Sequence, residues 1–272
     1  MNERDRVRLP LALWSAVVAV LLIAPTLVVV PLSFTDKRSF VFPIEGWSLQ
    51  WYENFFVTDP RWLEALGTSV RLGVVVGVAA TVLGTLAALA LDRRRSRTFA
   101  TARGLLLLPI VIPGIVAAVG IFGTYLDWGL SGTFLGLALA HTALAIPFVV
   151  IAVGTALRGF DPTLERAAAS LGAGPVARFV QVQMPIIAPG IVTGFIFAFV
   201  TSLDEVVVAY FLQSPLLRTL PVQMYSSVTV ETDPSIAVAS TLVLALSTVA
   251  ILVPGLVVAR RERRRFHQKE SV

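Results

Sequence analysis

Long apolar runs separated by short polar ones dominate this chain. The runs lie at about 11–33, 68–91, 105–126, 134–157, 186–212 and 236–259. Each is long enough to cross a ~30 Å hydrocarbon core as a helix, which takes about 20 residues. Lipid offers the backbone no hydrogen-bond partners, so such runs fold as helices that satisfy their own amides and carbonyls. The two-residue alternation of a membrane barrel is absent. The pattern therefore predicts an all-α integral membrane protein with six transmembrane helices. Composition removes the main competitor: 56% hydrophobic residues, 14% charged residues and a mean hydropathy of +0.81 do not describe an ordinary soluble domain.

The polar connections carry the orientation. Arg4, Arg6 and Arg8 precede the first run, and Arg93, Arg94, Arg95, Arg97 and Arg103 lie between the second and third. Arg158, Arg166 and Arg178 lie between the fourth and fifth, and Arg260, Arg261, Arg263, Arg264, Arg265 and Lys269 follow the sixth. The alternate connections hold only Lys37, Arg38, Arg61 and Arg218, with Arg71 at the edge of the second run. Lys and Arg accumulate on the cytoplasmic side, so both termini are expected inside, N-in/C-in. These arginines hug span ends and lack interleaved aromatics, so the pI near 10.2 reflects topology and not nucleic-acid binding. No cysteine is present, which excludes a disulfide framework and a thiolate site. The first run lacks a small-x-small cleavage site and is too long for a signal segment, so it is expected to be retained. The chain thus parses into an N-terminal segment with the first transmembrane helix (1–33), an extracytoplasmic aromatic loop (34–67), a transmembrane domain (68–259) and a basic cytoplasmic tail (260–272).

One polar segment, 158–190, needs a further explanation. Asp161-Pro162 supplies an N-cap and a first-turn proline. Leu164, Ala167, Ala168 and Leu171 follow at helical spacing, and Gly172 suits the left-handed conformation that ends a helix. Gly174-Pro175 starts a second short helix with Val176, Phe179 and Val180 on one side, and Pro185 is expected to mark its end. The result is a helical hairpin of small residues at a membrane surface, shaped to dock in another protein's groove. It resembles the cytoplasmic docking loop (the "EAA" loop) of ABC-importer permeases, whose pattern is roughly E-A-A-x-x-L-G-A, an aromatic, L-P and P-G. Ala167, Ala168, Leu171, Gly172, Ala173, Phe179, Pro185, Pro189 and Gly190 match. Arg166 stands where the family has Glu, with Glu165 one residue earlier, and Met184 replaces the Leu before Pro185. The resemblance implies a coupling-helix hairpin between helices 4 and 5, where Asp161, Glu165, Arg166, Ala167, Ala168, Leu171, Gly172, Ala173 and Phe179 form the ATPase-docking loop.

Thr35 to Gly67 is the longest outer connection and holds Trp47, Trp51, Tyr52, Phe55, Phe56 and Trp62. A short helix at headgroup level, carrying an aromatic belt, is expected there. Its Gly46-Trp47-Ser48-Leu49-Gln50-Trp51-Tyr52 run is similar to the corresponding loop of the same permeases. In the third run, Pro109 and Pro113 each remove a backbone donor and can kink or open the helix, either beside a pathway or for packing alone. In the second, Gly73 and Gly77 have the GxxxG spacing that permits close helix contact.

Enzymatic signatures are missing. The chain has no G-x-S-x-G, no H-E-x-x-H and no G-x-x-x-x-G-K-[ST], so no catalytic residue, metal site or cofactor is expected, and any ATP is handled by another subunit. His267 lies in the tail, and His141, within the fourth run, is expected to hydrogen-bond a neighbouring helix. Asp204-Glu205 stands out instead, because intramembrane carboxylates are costly and face a partner, a cavity or a pathway. With a helix starting near Pro189, Asp204 is about 15 residues along, or ~22 Å, in the outer half of the bilayer. On a continuous helix Asp204 shares a stripe with Thr201, Val208 and Phe211, and Glu205 one with Ser202 and Leu212. Arg71 is a candidate to neutralise one of them. The strings Ser202-Leu203-Asp204-Glu205-Val206-Val207-Val208 and Thr219-Leu220-Pro221-Val222-Gln223-Met224-Tyr225-Ser226 resemble the polyamine branch of these permeases. The resemblance implies a substrate path lined by Asp204, Glu205, Tyr210, Tyr125 and Trp128, since a linear polycation suits carboxylates and aromatic faces. A structural role for Glu205 stays open, because an acidic residue there also occurs in permeases for other solutes.

The chain is therefore expected to be a multi-pass permease subunit of an ABC importer in the bacterial cytoplasmic (inner) membrane, for a small solute and foremost a polyamine such as spermidine or putrescine. The resemblance implies an ABC ATPase dimer, a second homologous permease subunit and an extracytoplasmic solute-binding protein as partners, within a lipid bilayer and with no nucleic acid. The alternatives are an ABC permease for another small solute (amino-acid-like or aminophosphonate), a secondary carrier, or a membrane assembly protein whose hairpin recruits a soluble partner. A carrier would need interrupted helices in two inverted halves.

Overall fold

The computed structural model describes residues 3–92, 96–229 and 233–270, with side chains described for 11–24, 26–92, 96–229 and 233–253. Among these residues the chain is helical and strands are absent. The helices are α1 (Glu3–Leu32), α2 (Gln50–Glu53), α3 (Pro60–Asp92), α4 (Arg97–Val111), α5 (Gly114–Asp127), α6 (Phe134–Arg158), α7 (Pro162–Ser170), α8 (Pro175–Arg178), α9 (Met184–Asp204), α10 (Val207–Leu212), α11 (Leu220–Thr229) and α12 (Ser235–Glu270). Among the described residues, 5 helices are long and apolar enough to cross a membrane, and α4 with α5 forms an apolar pair bent by 103°, the shape of a broken span or of a re-entrant loop. Arg93, Arg94 and Arg95 lie outside the described residues, as do the side chains of Arg4, Arg6, Arg8 and the basic tail.

The bend has a local cause. Pro109 is absorbed inside α4, whereas Pro113 pushes the preceding Ile112 into an extended conformation (φ −72°, ψ 127°), and the helix restarts at Gly114. Of the two prolines, the second makes the break.

The chain divides into two compact units, Met1–Leu63 with Met224–Ala245, and Glu64–Gln223 with Leu246–Val272. In the first unit, α1 leaves Leu11, Trp14 and Leu22 exposed, a surface suited to lipid. The connection over residues 34–67 differs from expectation in two ways. Helix α3 begins at Pro60, not at 68, because Pro needs no amide in a first turn and Asp59 Oδ1 accepts from the Arg61 amide at 3.1 Å. Its aromatics are also more than a belt: Phe55 and Trp62 are fully buried, with ring centroids 5.6 Å apart, although Trp47 remains exposed. Trp62 Nε1 donates to Asp233 Oδ2 at 3.2 Å and Asn54 Nδ2 to Ser235 Oγ at 2.8 Å. A distant segment thus supplies the polar partner that a buried indole requires.

The second unit is organised by α6 against α9, around Leu72, Val76, Leu137, Val149, Val153 and Ile187. Glycines set the closeness. A Cβ added at Gly73 or Gly77 would press on the rings of Phe199 or Phe195, and one at Gly190 would lie 2.6 Å from Ala156 Cβ and 3.1 Å from the Ala152 carbonyl oxygen. The close contact expected of the Gly73/Gly77 pair is present. His141 Nδ1 lies 3.0 Å from Ser202 Oγ, so this buried histidine does hydrogen-bond a neighbouring helix. Gly190→Leu is expected to separate α6 from α9 and cost about 1–3 kcal/mol. Thermal unfolding in detergent should show a lower midpoint for Gly190→Leu and little change for Gly120→Ala, whose Cβ meets nothing within 4 Å.

Candidate functional site

The hairpin is built from short-range hydrogen bonds. Asp161 is extended and its carboxylate accepts from the Thr163 amide at 2.9 Å, which caps α7 and holds its carboxyl below the usual range. At the other end Gly172 takes φ +87°. The Ala173 amide reaches back to the Ala168 carbonyl and the Gly172 amide to that of Ala169, each at 3.0 Å, the paired bonds of a Schellman motif. Gly174 is extended and Pro175 opens α8. Arg178 Nη1 lies 3.8 Å from Glu165 Oε1, an ion pair that ties α8 to α7, while Arg166 is exposed. Leu171 is 89% exposed and Val176 77%, so the hairpin presents apolar residues that nothing in this chain covers among the described residues. Phe179 is half-buried behind them.

Pro185 does not end the second arm. Helix α8 passes through a wide π turn at Phe179–Gln183, with the Met184 amide bonded to the Phe179 carbonyl, and continues as α9. Pro185 falls in the first turn of α9, where its missing amide costs nothing. The arm and the span are one helical stretch, Pro175–Asp204.

The fifth span is not continuous to residue 212, which corrects the shared stripes expected for the two carboxylates. Helix α9 ends at Asp204, Glu205 is extended (φ −76°, ψ 109°), and α10 starts at Val207. Glu205 Oε1 accepts from the Val208 amide at 2.8 Å, so this carboxylate caps α10 and offers the backbone an alternative to continued helix. Asp204 is exposed. It is the last residue of α9, about 20 residues or ~30 Å along the helix from Met184. Arg71 neutralises neither carboxylate: its guanidinium lies over the Phe134 ring, 5.8 Å from the centroid. Helix α10 packs on α5, the two helices that carry Tyr210 and Tyr125. Phe211 meets Phe122 edge-on at 6.1 Å, Tyr125 stacks on Trp128 at 6.2 Å, and Tyr210 is exposed on α10. Among the described residues no group of His, Asp and Glu is placed to hold a metal ion. Glu205→Gln keeps an acceptor and should leave uptake close to normal, whereas Glu205→Ala loses a cap worth about 1 kcal/mol and should reduce it. Initial uptake rates of the two variants check this.

A membrane-spanning helical unit with a broken span, a surface hairpin and a carboxylate at a helix break is the build of a transport-pathway subunit. The chain belongs to the family described as binding-protein-dependent transport system inner membrane component, which matches residues 80–266. It is accordingly an inner-membrane transporter subunit and not an enzyme. It is similar to the putrescine transport system permease protein PotI of Escherichia coli, 31% identical over 98% of this chain and 97% of that one. The spermidine/putrescine transport system permease protein PotC of Haemophilus influenzae is 31% identical over 89% of this chain and 93% of its own. The molybdenum transport system permease protein ModB of Mycobacterium bovis is 33% identical over 74% and 79%. Among solved structures, a bacterial ABC transporter involved in the import of the acidic polysaccharide alginate has the same fold, with a TM-score of 0.67, 16% identity and coverage of 96% of this chain and 98% of that one. So does a bacterial alginate ABC transporter in complex with an alginate pentasaccharide-bound periplasmic protein, with a TM-score of 0.69, 14% identity and 93% of both chains covered.

Proposed function

We propose that this chain forms one side of the transmembrane path of an ATP-driven importer of polyamines. Both termini and the 161–184 hairpin face the cytoplasm, residues 34–67 face outward, 68–259 form the permease domain and 260–272 a basic tail. The hairpin, from Asp161 to Phe179, docks on a separate ATPase dimer, and a second homologous permease completes the path. An extracytoplasmic solute-binding protein delivers the solute. The observation that carries this is the hairpin itself, which exposes Leu171 and Val176 and continues without a break to Asp204. The solute class is supported by the putrescine and spermidine/putrescine permeases among the relatives. It is also supported by the chemistry of the exposed Asp204 carboxylate and of the aromatic faces of Tyr125, Trp128 and Tyr210, residue types that attract an extended polycation.

Reconstitution with the ATPase, partner permease and binding protein tests this directly. Radiolabelled spermidine or putrescine should accumulate in proteoliposomes only with ATP and all subunits present. Accumulation without the ATPase would make the chain a self-sufficient carrier. ATP-driven uptake of molybdate in place of polyamine would leave the docking intact and reassign the solute.

A further inference from the structure

A cavity of about 200 Å³ opens between α3, α4 and α6, and neither the hairpin's exposed apolar residues nor Asp204 line it. The three helices contribute to it in matching register. Asp92 is the last residue of α3, Arg158 the last of α6, and Arg103 lies in the first half of α4. Ala88 is one turn inward from Asp92, Leu107 one turn inward from Arg103, and Ile151 two turns inward from Arg158. The cavity is therefore charged at the level where spanning helices end and apolar below it. Arg158 Nη2 donates to Thr155 Oγ1 at 3.0 Å, which fixes one prong of its guanidinium. Among the described residues neither Arg103 nor Arg158 forms an ion pair.

We propose that this cleft binds a membrane phospholipid through its phosphate. Guanidinium groups match phosphate oxygens in a two-pronged geometry, and basic pockets between spanning helices are suited to anionic headgroups. Two arginines and one aspartate leave one net positive charge, which complements phosphatidylglycerol. Leu107 and Ile151 give its acyl chain an apolar wall. A free phosphate ion would share the arginines but leave that wall unused. None of the residues proposed for the solute path lines this cleft, and the inference does not depend on which solute is carried.

The test uses the intact permease complex, with lipid retention read by native mass spectrometry after exchange from phosphatidylglycerol-containing nanodiscs. Arg103→Gln/Arg158→Gln should lower retained phosphatidylglycerol about tenfold, and Arg103→Lys/Arg158→Lys should lie between. Leu107→Trp fills the apolar wall and leaves both arginines, so it should also expel the lipid. Inorganic phosphate at millimolar concentration should not displace the lipid from the wild type. Equal retention by wild type, the double Gln variant and Leu107→Trp would overturn the proposal. Displacement by inorganic phosphate would make the ligand a free anion. Loss of the ATPase subunit with lipid retention unchanged would make the cleft a protein contact, which also overturns it.

Discussion

Gly172→Val is expected to reduce uptake to background while the permease still inserts in the membrane at normal abundance. The reason is conformational and not steric. A Cβ at this position meets nothing within 4 Å, but φ is +87°, where an L residue is strained and a β-branched one more so. The cost, about 1–2 kcal/mol, falls on the two Schellman bonds that end α7. Once they open, Leu171 and Val176 no longer hold fixed positions on the hairpin surface proposed to dock the ATPase. Co-purification of the ATPase should fall with transport, and thermal stability of the bundle should not. Gly172→Asn should keep most activity, because Asn tolerates the left-handed region. Normal uptake by Gly172→Val would remove the docking assignment.

Asp204→Asn is expected to slow polyamine uptake about tenfold or more without changing the amount of ATPase bound. Asp204 is the exposed last residue of α9 and among the described residues its carboxylate accepts no hydrogen bond and forms no ion pair, so on the proposed path its charge acts on a passing cation. Its neighbour differs in kind, since the Glu205 carboxylate is engaged by the Val208 amide. An amide at position 204 preserves size and removes only the charge. Uptake rates measured against polyamine concentration should show the loss mainly at low concentration. Unaltered kinetics would mean that Asp204 does not face the path.

What could be read from the sequence was what short-range chemistry decides. Apolar length marked the spans, and the left-handed turn at Gly172 followed from a glycine placed after a small-residue helix. The break in the third span was expected at its prolines, although only the structure separates Pro113, which opens the helix, from Pro109, which α4 absorbs. The break at Glu205 was not legible, since no Gly or Pro marks it; it arises from a carboxylate capping an amide three residues on. The burial of Trp62 and Phe55 was hidden for a different reason. Trp62 donates to Asp233, 171 residues on, and Asn54, next to Phe55, donates to Ser235, 181 residues on, a pairing that no local pattern announces.

The unbroken stretch from Pro175 to Asp204 has a mechanical meaning. Its 30 residues make a pushrod ~45 Å long at 1.5 Å per residue. On the proposed docking, a displacement delivered to its hairpin end travels along one helix, through the π turn at Phe179–Gln183 and past Pro189, to the break at Glu205. On that reading the Asp204 carboxylate, at the tip of the rod, is the first polar group the movement reaches, and the break before α10 is where it is passed on.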